Sequence, residues 1–143
     1  MPSRRILQIP CLLLCSVLVS PTASARQYSM RCVFDTSRHT FYDKGKMDAA
    51  TSVHSHVYIA TERNGLAHIL IGNADEGDFR VGKTPDALRY SLFRDDSVQI
   101  FSVLQMANKE GKWPASSLYS SSFKTYTNSA AAVGLCEKGK WQY

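Results

Sequence analysis

Two histidines lie two residues apart in the stretch TSVHSHVYIA, which spans residues 51–60. Side chains at positions i and i+2 of a β-strand point to the same face, so His54 and His56 would project together. Two imidazoles at this spacing can bind a zinc or copper ion, but a catalytic site needs a third protein ligand and a closed site a fourth. Val53 and Val57 fall on the opposite, apolar face, so the histidines are expected on the outer side or rim of the fold. They are metal-ligand candidates without a predicted metal site.

A third histidine, His68, follows the strongest turn signal in the chain. The dipeptide at 64–65 is Asn-Gly, which favours a tight hairpin turn because both residues tolerate a positive φ. Such a turn places Arg63 opposite Leu66 and pairs the flanking segments antiparallel. Extending that register places His68 opposite Thr61, away from the other histidines. The sequence therefore predicts no metal ion shared among them.

Serines and acidic residues are frequent but lack catalytic spacing. The serines between positions 116 and 122 have no G-x-S-x-G motif and no positioned base, and hydroxyl side chains are ordinary on the wet face of a strand. Asp75, Glu76 and Asp78 crowd one segment, where acidic residues commonly form turns. These patterns favour a protein that is not an enzyme and that needs no cofactor.

Aromatic and basic residues gather in the last third of the chain, where they could contact a partner. Such residues often anchor interfaces. Loops also carry many binding residues, and the segments expected at the rim of the fold are 72–78, 107–115 and 137–143. The candidate contact residues are Asn73, Asp75, Trp113, Lys138, Trp141 and Tyr143.

The N-terminal segment 1–25 has the pattern of a secretory signal peptide. Arg4 and Arg5 precede an apolar run, and Ala23 and Ala25 form an A-x-A cleavage site. Cleavage there would leave one domain, residues 26–143, with no second apolar run of membrane length. The expected location is therefore the periplasm or the cell exterior.

Export would reduce the number of cysteines from four to two. Cys11 and Cys15 lie in the signal segment, so Cys32 and Cys136 would remain. Two cysteines in an oxidising compartment, near opposite ends of a domain, predict one disulfide. Because a bridged cysteine cannot act as a nucleophile, this prediction also argues against thiol chemistry.

The exported chain would be mildly basic. Removal of the two N-terminal arginines lowers Lys+Arg from 17 to 15, against 12 acidic residues. The basic residues are scattered, whereas a nucleic-acid-binding protein concentrates them in a patch or stripe. Nucleic acid is therefore not expected as a partner.

Alternation of apolar and polar residues predicts β-strands across the exported chain. Further strands follow the first, which carries Cys32, and they are expected in SVHSHVYIA, LAHILIG, FRV, ALRYSLF, SVQIFSVLQ and SSLYSSSFKTYT. The segment 36–50 is expected to be a polar connection with a short strand near 40–42, and the alanine run 130–132 is short, enough for a half-turn of helix at most. About seven or eight short strands, hairpin connections and a terminal disulfide predict an all-β fold, either an antiparallel small β-barrel or a sandwich.

Over residues 28–136 the chain resembles a set of small exported β proteins of Gram-negative, chiefly alphaproteobacterial, species. The shared features are a cysteine in the first strand, an IGN-type central turn, a strand like SVQIFSVLQ, a Tyr-Ser pair and a C-terminal G-x-C. Here these are Cys32, Gly72-Asn73, the 97–105 strand, Tyr119-Ser120 and Gly134-Leu135-Cys136. The resemblance implies export and a β fold, but no activity. This chain has YSSSF where those proteins tend to show a Ser-Arg-His-like run.

A looser similarity links the chain to periplasmic inhibitors of c-type lysozyme, which are small β-barrels with a disulfide to the C-terminus. Their Ser-Gly-x-x-Tyr-like inhibitory loop is absent, and the nearest stretch here is SSLYSS. The expected function is therefore that of an exported, non-enzymatic binding protein whose partner is a protein or a small envelope ligand. An inhibitor of a lysozyme-type hydrolase is the alternative.

Overall fold

The computed structural model describes residues 26–52, 55–60 and 62–142, with the side chains of positions 36, 37 and 52 left out. The predicted signal peptide, the metal candidate His54, the contact candidate Tyr143 and the predicted pairing partner Thr61 lie outside the described residues. Within the described part the chain is all-β and has no helix, as expected.

Nine strands follow one another along the chain. They are β1 (Gln27–Asp43), β2 (Lys46–Ser52), β3 (Ser55–Ala60), β4 (Leu66–Ile71), β5 (Ala74–Lys83), β6 (Ala87–Phe93), β7 (Ser97–Leu104), β8 (Trp113–Phe123) and β9 (Tyr126–Gln142).

Eight of these strands close into an antiparallel barrel. The sheet order is β2-β1-β3-β4-β5-β6-β7-β8-β9, and an additional pairing of β1 with β9 closes the ring. The barrel, rather than the sandwich, is therefore the observed form of the predicted fold. Closure leaves the ring without free sheet edges, which would otherwise be sites for pairing with other chains.

The barrel core is built from inward-facing residues of all eight ring strands. Met30, Cys32 and Phe34 alternate along β1 as the sequence predicts, and all three are buried. The other fully buried side chains include Val57, Ile59, Ile69, Phe79, Phe101, Val103 and Cys136. Burial of this apolar surface stabilises the fold by roughly 25 cal/mol per Å² removed from water.

The predicted disulfide joins Cys32 to Cys136. The two residues lie directly opposite each other in the β1–β9 ladder, so the bridge crosses the seam that closes the barrel. It links positions 104 residues apart in the sequence. The first and last strands are thus joined covalently as well as by hydrogen bonds.

Beyond the barrel the sheet continues as a four-stranded extension, made of residues 37–43 of β1, all of β2, residues 126–133 of β9 and residues 116–123 of β8. The expectation of a polar connection at 36–50 is therefore wrong. β1 runs on to Asp43 and turns through Lys44-Gly45, whose φ angles of 46° and 85° suit a tight hairpin. The alanines 130–132 likewise lie in β9, because neighbouring strands supply hydrogen bonds that override local helix preference.

The hairpin that begins at the Asn-Gly turn has a different register from the one predicted. Arg63 pairs with Leu66 as expected, but farther along Ile59 pairs with Ile69 and Val57 with Ile71. The chain has four steps from Ile59 to Arg63 and only three from Leu66 to Ile69, so the register changes by one residue between these pairs. Extending the register of the turn unchanged to Ile59 and Val57 is therefore wrong by one residue, because the shift places the apolar residues of both strands on the core face. The predicted partner of His68, Thr61, lies outside the described residues.

Among residues 26–52, 55–60 and 62–142, no helix is long and apolar enough to cross a membrane.

Candidate functional site

One end of the barrel, here called the mouth, is where β1 begins and β9 ends. The connections 62–65, 84–86 and 105–112 border it. At this end the inward-facing positions change from apolar to polar, and a pocket of about 520 Å³ opens above the core. It is lined by Ser29, Met30, Ala60, Glu62, Lys83, Leu88, Tyr90, Gln105, Trp113 and Lys138. Barrel mouths are common positions for small-molecule sites, and this volume lies within their usual range.

Trp113 and Lys138 form one wall of the pocket. The ammonium nitrogen of Lys138 lies 3.8 Å from the centroid of the Trp113 ring, a cation–π contact. The register explains the contact, since Trp113 pairs with Cys136 and Lys138 lies two residues farther along β9. Among the described residues, no carboxylate lies within 4 Å of the Lys138 ammonium. Lys138 therefore brings a positive charge to the pocket that no acidic side chain neutralises.

The opposite wall carries an ion pair between Lys83 and Glu62, whose charged atoms are 2.8 Å apart. Glu62 is largely buried and Lys83 is mostly exposed. With this pair internally neutral, the lining side chains carry one net positive charge, that of Lys138. An anionic group is therefore the favoured complement to the mouth.

Tyr90 lies at the floor of the pocket with 2% of its surface exposed. Burial raises the pKa of the Tyr90 phenol to about 12, and the negative charge of Glu62 adds to the shift. The side chain is thus a neutral phenol throughout the physiological range. Titratable groups with shifted pKa values cluster at functional sites, so Tyr90 strengthens the case for the mouth as a binding site.

The remaining polar groups of the mouth are fixed by the backbone. The Gln105 amide donates to the carbonyl of Thr84 at 3.0 Å, and the Ser29 hydroxyl donates to the carbonyl of Ile59 at 3.2 Å. These bonds hold two lining side chains in place. A ligand would therefore meet an organised rim, which lowers the entropic cost of binding.

Trp141, also expected as a contact residue, lies on the outer wall of the barrel and not in the mouth. Its ring lies beneath the guanidinium of Arg31, 4.9 Å from the ring centroid, and Arg31 in turn contacts Glu137 at 3.3 Å. β9 continues through position 142, so this part of the chain is an ordered strand. The third predicted rim segment therefore divides, with Lys138 facing the mouth and Trp141 the wall.

Asn73 and Asp75 lie away from the mouth, in and just after the turn at its opposite end that joins β4 to β5. Asp75 contacts His68, whose Nε2 lies 2.9 Å from an Asp75 oxygen, while Nδ1 lies 2.9 Å from Asp78. The Arg26 guanidinium also contacts His68. The loop 72–78 predicted at the rim is therefore a short turn followed by a strand, and its acidic residues hold His68 on the outer wall.

His56 is exposed on the outer side of β3, as its alternation with Val57 predicts. Its ring stacks against that of Tyr58, with centroids 6.5 Å apart. Both ring nitrogens of His68 face carboxylate oxygens, so they do not converge with His56. Among the described residues, no three His, Cys, Asp or Glu side chains form a group that could hold a metal ion.

Sequence reasoning found two of the lining residues, Trp113 and Lys138, and missed Tyr90, Glu62 and Gln105. In the sequence Tyr90 belongs to an ordinary alternating strand, and Glu62 and Gln105 stand beside loops. The available signal for Glu62 and Gln105 was that both lie next to strand ends that a closed barrel brings to one rim, whereas Tyr90 lies in the middle of β6 and carried no such signal. Comparisons of the chain with protein-family models, with curated proteins and with solved structures found no match.

Proposed function

We propose that this protein is an exported, non-enzymatic binding protein of the bacterial envelope and that the barrel mouth holds a small ligand with an anionic group. The observation that carries the proposal is the Lys138–Trp113 wall, an unneutralised ammonium against an indole face, beside a pocket of about 520 Å³. An indole offers a flat apolar surface to a ring or chain, and the ammonium offers a charge to a carboxylate, sulfonate or phosphate.

Two further features support the proposed location. The first 25 residues have the composition of a signal peptide, and the disulfide between Cys32 and Cys136 is of a kind that persists in oxidising compartments. A binding protein outside the cytoplasm needs a fold that resists proteolysis and dilution without chaperones. A closed barrel with covalently joined terminal strands meets that need.

The binding proposal can be tested with 8-anilinonaphthalene-1-sulfonate, an aromatic anion. The chain has two tryptophans, so Trp141→Phe leaves Trp113 as the single indole reporter. In that background we expect the probe to quench Trp113 fluorescence saturably. Lys138→Gln should weaken binding about tenfold, since a charge-assisted contact contributes roughly 1.5–3 kcal/mol.

Lys124 provides a matched control, because its ammonium lies 5.3 Å from the ring centroid of Phe123 at the far tip of the extension. Lys124→Gln makes the same charge change beside an aromatic ring but away from the mouth, and it should leave the affinity for the probe unchanged. Equal weakening by the two substitutions would show that the probe responds to net charge, and the mouth proposal would fail.

Inhibition of a lysozyme-type hydrolase is a second proposal. It is favoured by the closed barrel and by the disulfide near the C-terminus, which match the architecture of the inhibitors that the sequence resembles. Adding the purified protein to a lysozyme turbidity assay tests it. Slowed clearing at a modest molar excess is expected, and unchanged clearing at a large excess would remove the proposal.

A further inference from the structure

The outer face of the extension, together with the adjoining outer sides of β6 and β7, exposes large apolar side chains. Residues directly opposite each other in an antiparallel ladder share a face, so the register identifies the members of this face. One row runs from Arg38 through Ala131 and Leu118 to Ile100, and the next from Thr40 through Ser129 and Ser120 to Val98. The most exposed apolar residues on this face, between 46% and 76% exposed, are Tyr42, Met47, Phe93, Leu118 and Val133. These five residues are called the outer patch.

A shallow depression of about 460 Å³ lies within this face. Apolar side chains and hydroxyl groups both line it, and its lining residues include Arg38, Thr40, Val98, Ile100, Leu118, Ser120, Ser129 and Ala131. Contiguous exposed apolar surface on a folded protein marks an interaction site with a protein, a ligand or a membrane. The outer patch therefore requires a partner that offers apolar groups.

The charge of the face indicates what that partner is. Arg38 and Arg89 both point outward on it, one on β1 and the other on β6, and neither forms an ion pair with another described residue. The outward positions of 38–42, 47–51, 89–93, 98–102, 116–122 and 127–133 include no Asp or Glu. The face is thus apolar with two cations, and it complements an anionic surface.

A second copy of the chain is disfavoured as the occupant. A two-fold interface brings the same surface of both subunits together. Here it would place arginines of one copy near those of the other, without a carboxylate on this face to offset them. The two arginines are also four strand spacings apart along the sheet, from β1 through β9, β8 and β7 to β6. At roughly 4.8 Å per spacing this path is about 19 Å, which suits a broad surface better than a single head group.

We propose that the outer patch and its two arginines dock the protein on the surface of a lipid bilayer that contains anionic lipid. The exposed apolar side chains would enter the interfacial region, an acyl chain would occupy the depression beside Arg38, and the guanidinium groups would contact lipid phosphates. This docking is independent of ligand binding at the mouth, which lies at the opposite end of the barrel.

The experiment is co-sedimentation of the purified protein with vesicles made of equal parts phosphatidylglycerol and phosphatidylcholine, and with vesicles of phosphatidylcholine alone. We expect binding to the anionic vesicles at low salt, and loss of that binding as salt screens the arginines. Any contribution from residues 1–25 is the same in every variant, so the variants report on the face.

Two double variants test the face separately. Arg38→Gln with Arg89→Gln removes its cations, and Phe93→Ser with Leu118→Ser removes two apolar tips. Each should weaken binding about tenfold or more, because each basic residue near an anionic bilayer adds to the attraction. All four side chains are exposed or border solvent, so the fold should survive, and far-ultraviolet circular dichroism checks this.

The controls lie off this face. Arg63→Gln with Lys109→Gln removes two positive charges from connections that border the mouth, and Leu66→Ser with Met106→Ser repeats the loss of exposed apolar side chains; all four residues are exposed. These variants should bind as the parent does. The proposal is overturned if controls and face variants weaken equally, or if the parent ignores anionic vesicles at low salt. Sedimentation velocity tests the alternative occupant, a second copy of the chain. The proposal is also overturned if the parent self-associates, the face variants abolish that self-association, and vesicle binding is absent.

Discussion

At the scale of single residues, Gly134 lies at a close contact between β1 and β9. It is paired with Phe34 on one side and with Ala115 on the other, in a row that faces the core. An ideal Cβ added at Gly134 would lie 2.9 Å from the Cα of Phe34 and would also clash with the Val33 carbonyl. Backbone cannot move aside as a flexible side chain can, so the seam of the barrel depends on the missing Cβ.

We therefore expect Gly134→Ala to lower the free energy of unfolding by about 1–3 kcal/mol, the usual cost of overpacking. Gly82→Ala is the matched control, since the nearest atom to its added Cβ is 3.9 Å away. That substitution should be neutral or slightly stabilising, by up to about 1 kcal/mol, because it restricts the unfolded chain. Urea unfolding of both variants measures the difference, and equal shifts in midpoint would contradict the proposed clash.

Tyr90 makes a prediction about alkaline pH. Its pKa is 10.0 in the ordinary state and about 12 in the folded protein, so the unfolded chain loses the phenol proton first as pH rises. The contribution of the neutral, buried phenol is present in full below about pH 10 and is lost between about pH 10 and pH 12. Its size is on the order of 2 kcal/mol.

The test is Tyr90→Phe, which keeps the ring and removes the titrating group. The free energy of unfolding of the parent should fall relative to that of the variant between about pH 10 and about pH 12. Urea titrations at several pH values measure both curves. Parallel curves over this range would mean that the phenol ionises alike in the folded and unfolded chains.

At the scale of elements, β2 is the edge strand of the extension, and all of its described side chains are exposed. An open edge invites pairing with another chain. The tight turn at 44–45 makes Asp43–Lys46 the first pair, and alternation along the ladder then directs the Ala49 amide to the free edge. There it donates to the Asp48 carboxylate at 2.8 Å. Asp48 thus occupies an edge donor and adds a charge beside it.

Asp48→Ala should free the Ala49 amide and remove the edge charge, so self-association through β2 should increase severalfold at a given protein concentration. Asp86→Ala, in the exposed turn between β5 and β6, makes the same charge change away from the edge and should have no effect. Sedimentation velocity over a range of concentrations compares them. If both variants remain as monomeric as the parent, Asp48 does not protect this edge.

At the scale of the whole molecule, stability depends on the seam between the first and last strands. β1 and β9 are both 17 residues long and pair along almost their whole lengths. The Cys32–Cys136 disulfide crosses this seam and closes a loop over a sequence separation of 104 residues. In the chain-entropy model such a loop stabilises the native state by about 4–5 kcal/mol, because it restricts the unfolded chain.

Replacing both cysteines, Cys32→Ala with Cys136→Ala, should therefore lower the free energy of unfolding by up to about 4–5 kcal/mol. Both side chains are buried, and alanine leaves no unsatisfied hydroxyl in their place. Urea unfolding of the oxidised parent, of the parent with reductant and of the double variant measures the effect. The last two should agree, and an oxidised parent no more stable than either would contradict the assigned role of the bridge.

Sequence patterns are sufficient to predict the β class, most strand positions, the inward face of β1, the Asn64-Gly65 turn and the single disulfide. The strands and the turn follow from alternation and turn residues within a few positions of each other. The disulfide follows from the number of cysteines, so none of these predictions requires knowledge of the tertiary structure. Closure into a barrel, the extension of β1 and β9 beyond the ring, and the position of Trp113 at the mouth depend on which strands pair, so they emerge only from the folded molecule. The β1–β9 ladder also contains register shifts that the sequence pattern does not reveal, one between Tyr28 and Met30 and another between Phe34 and Thr36. Because the side-chain period of a strand is two, each one-residue shift reverses the face of every residue beyond it, and long-range pairing decides where such shifts occur.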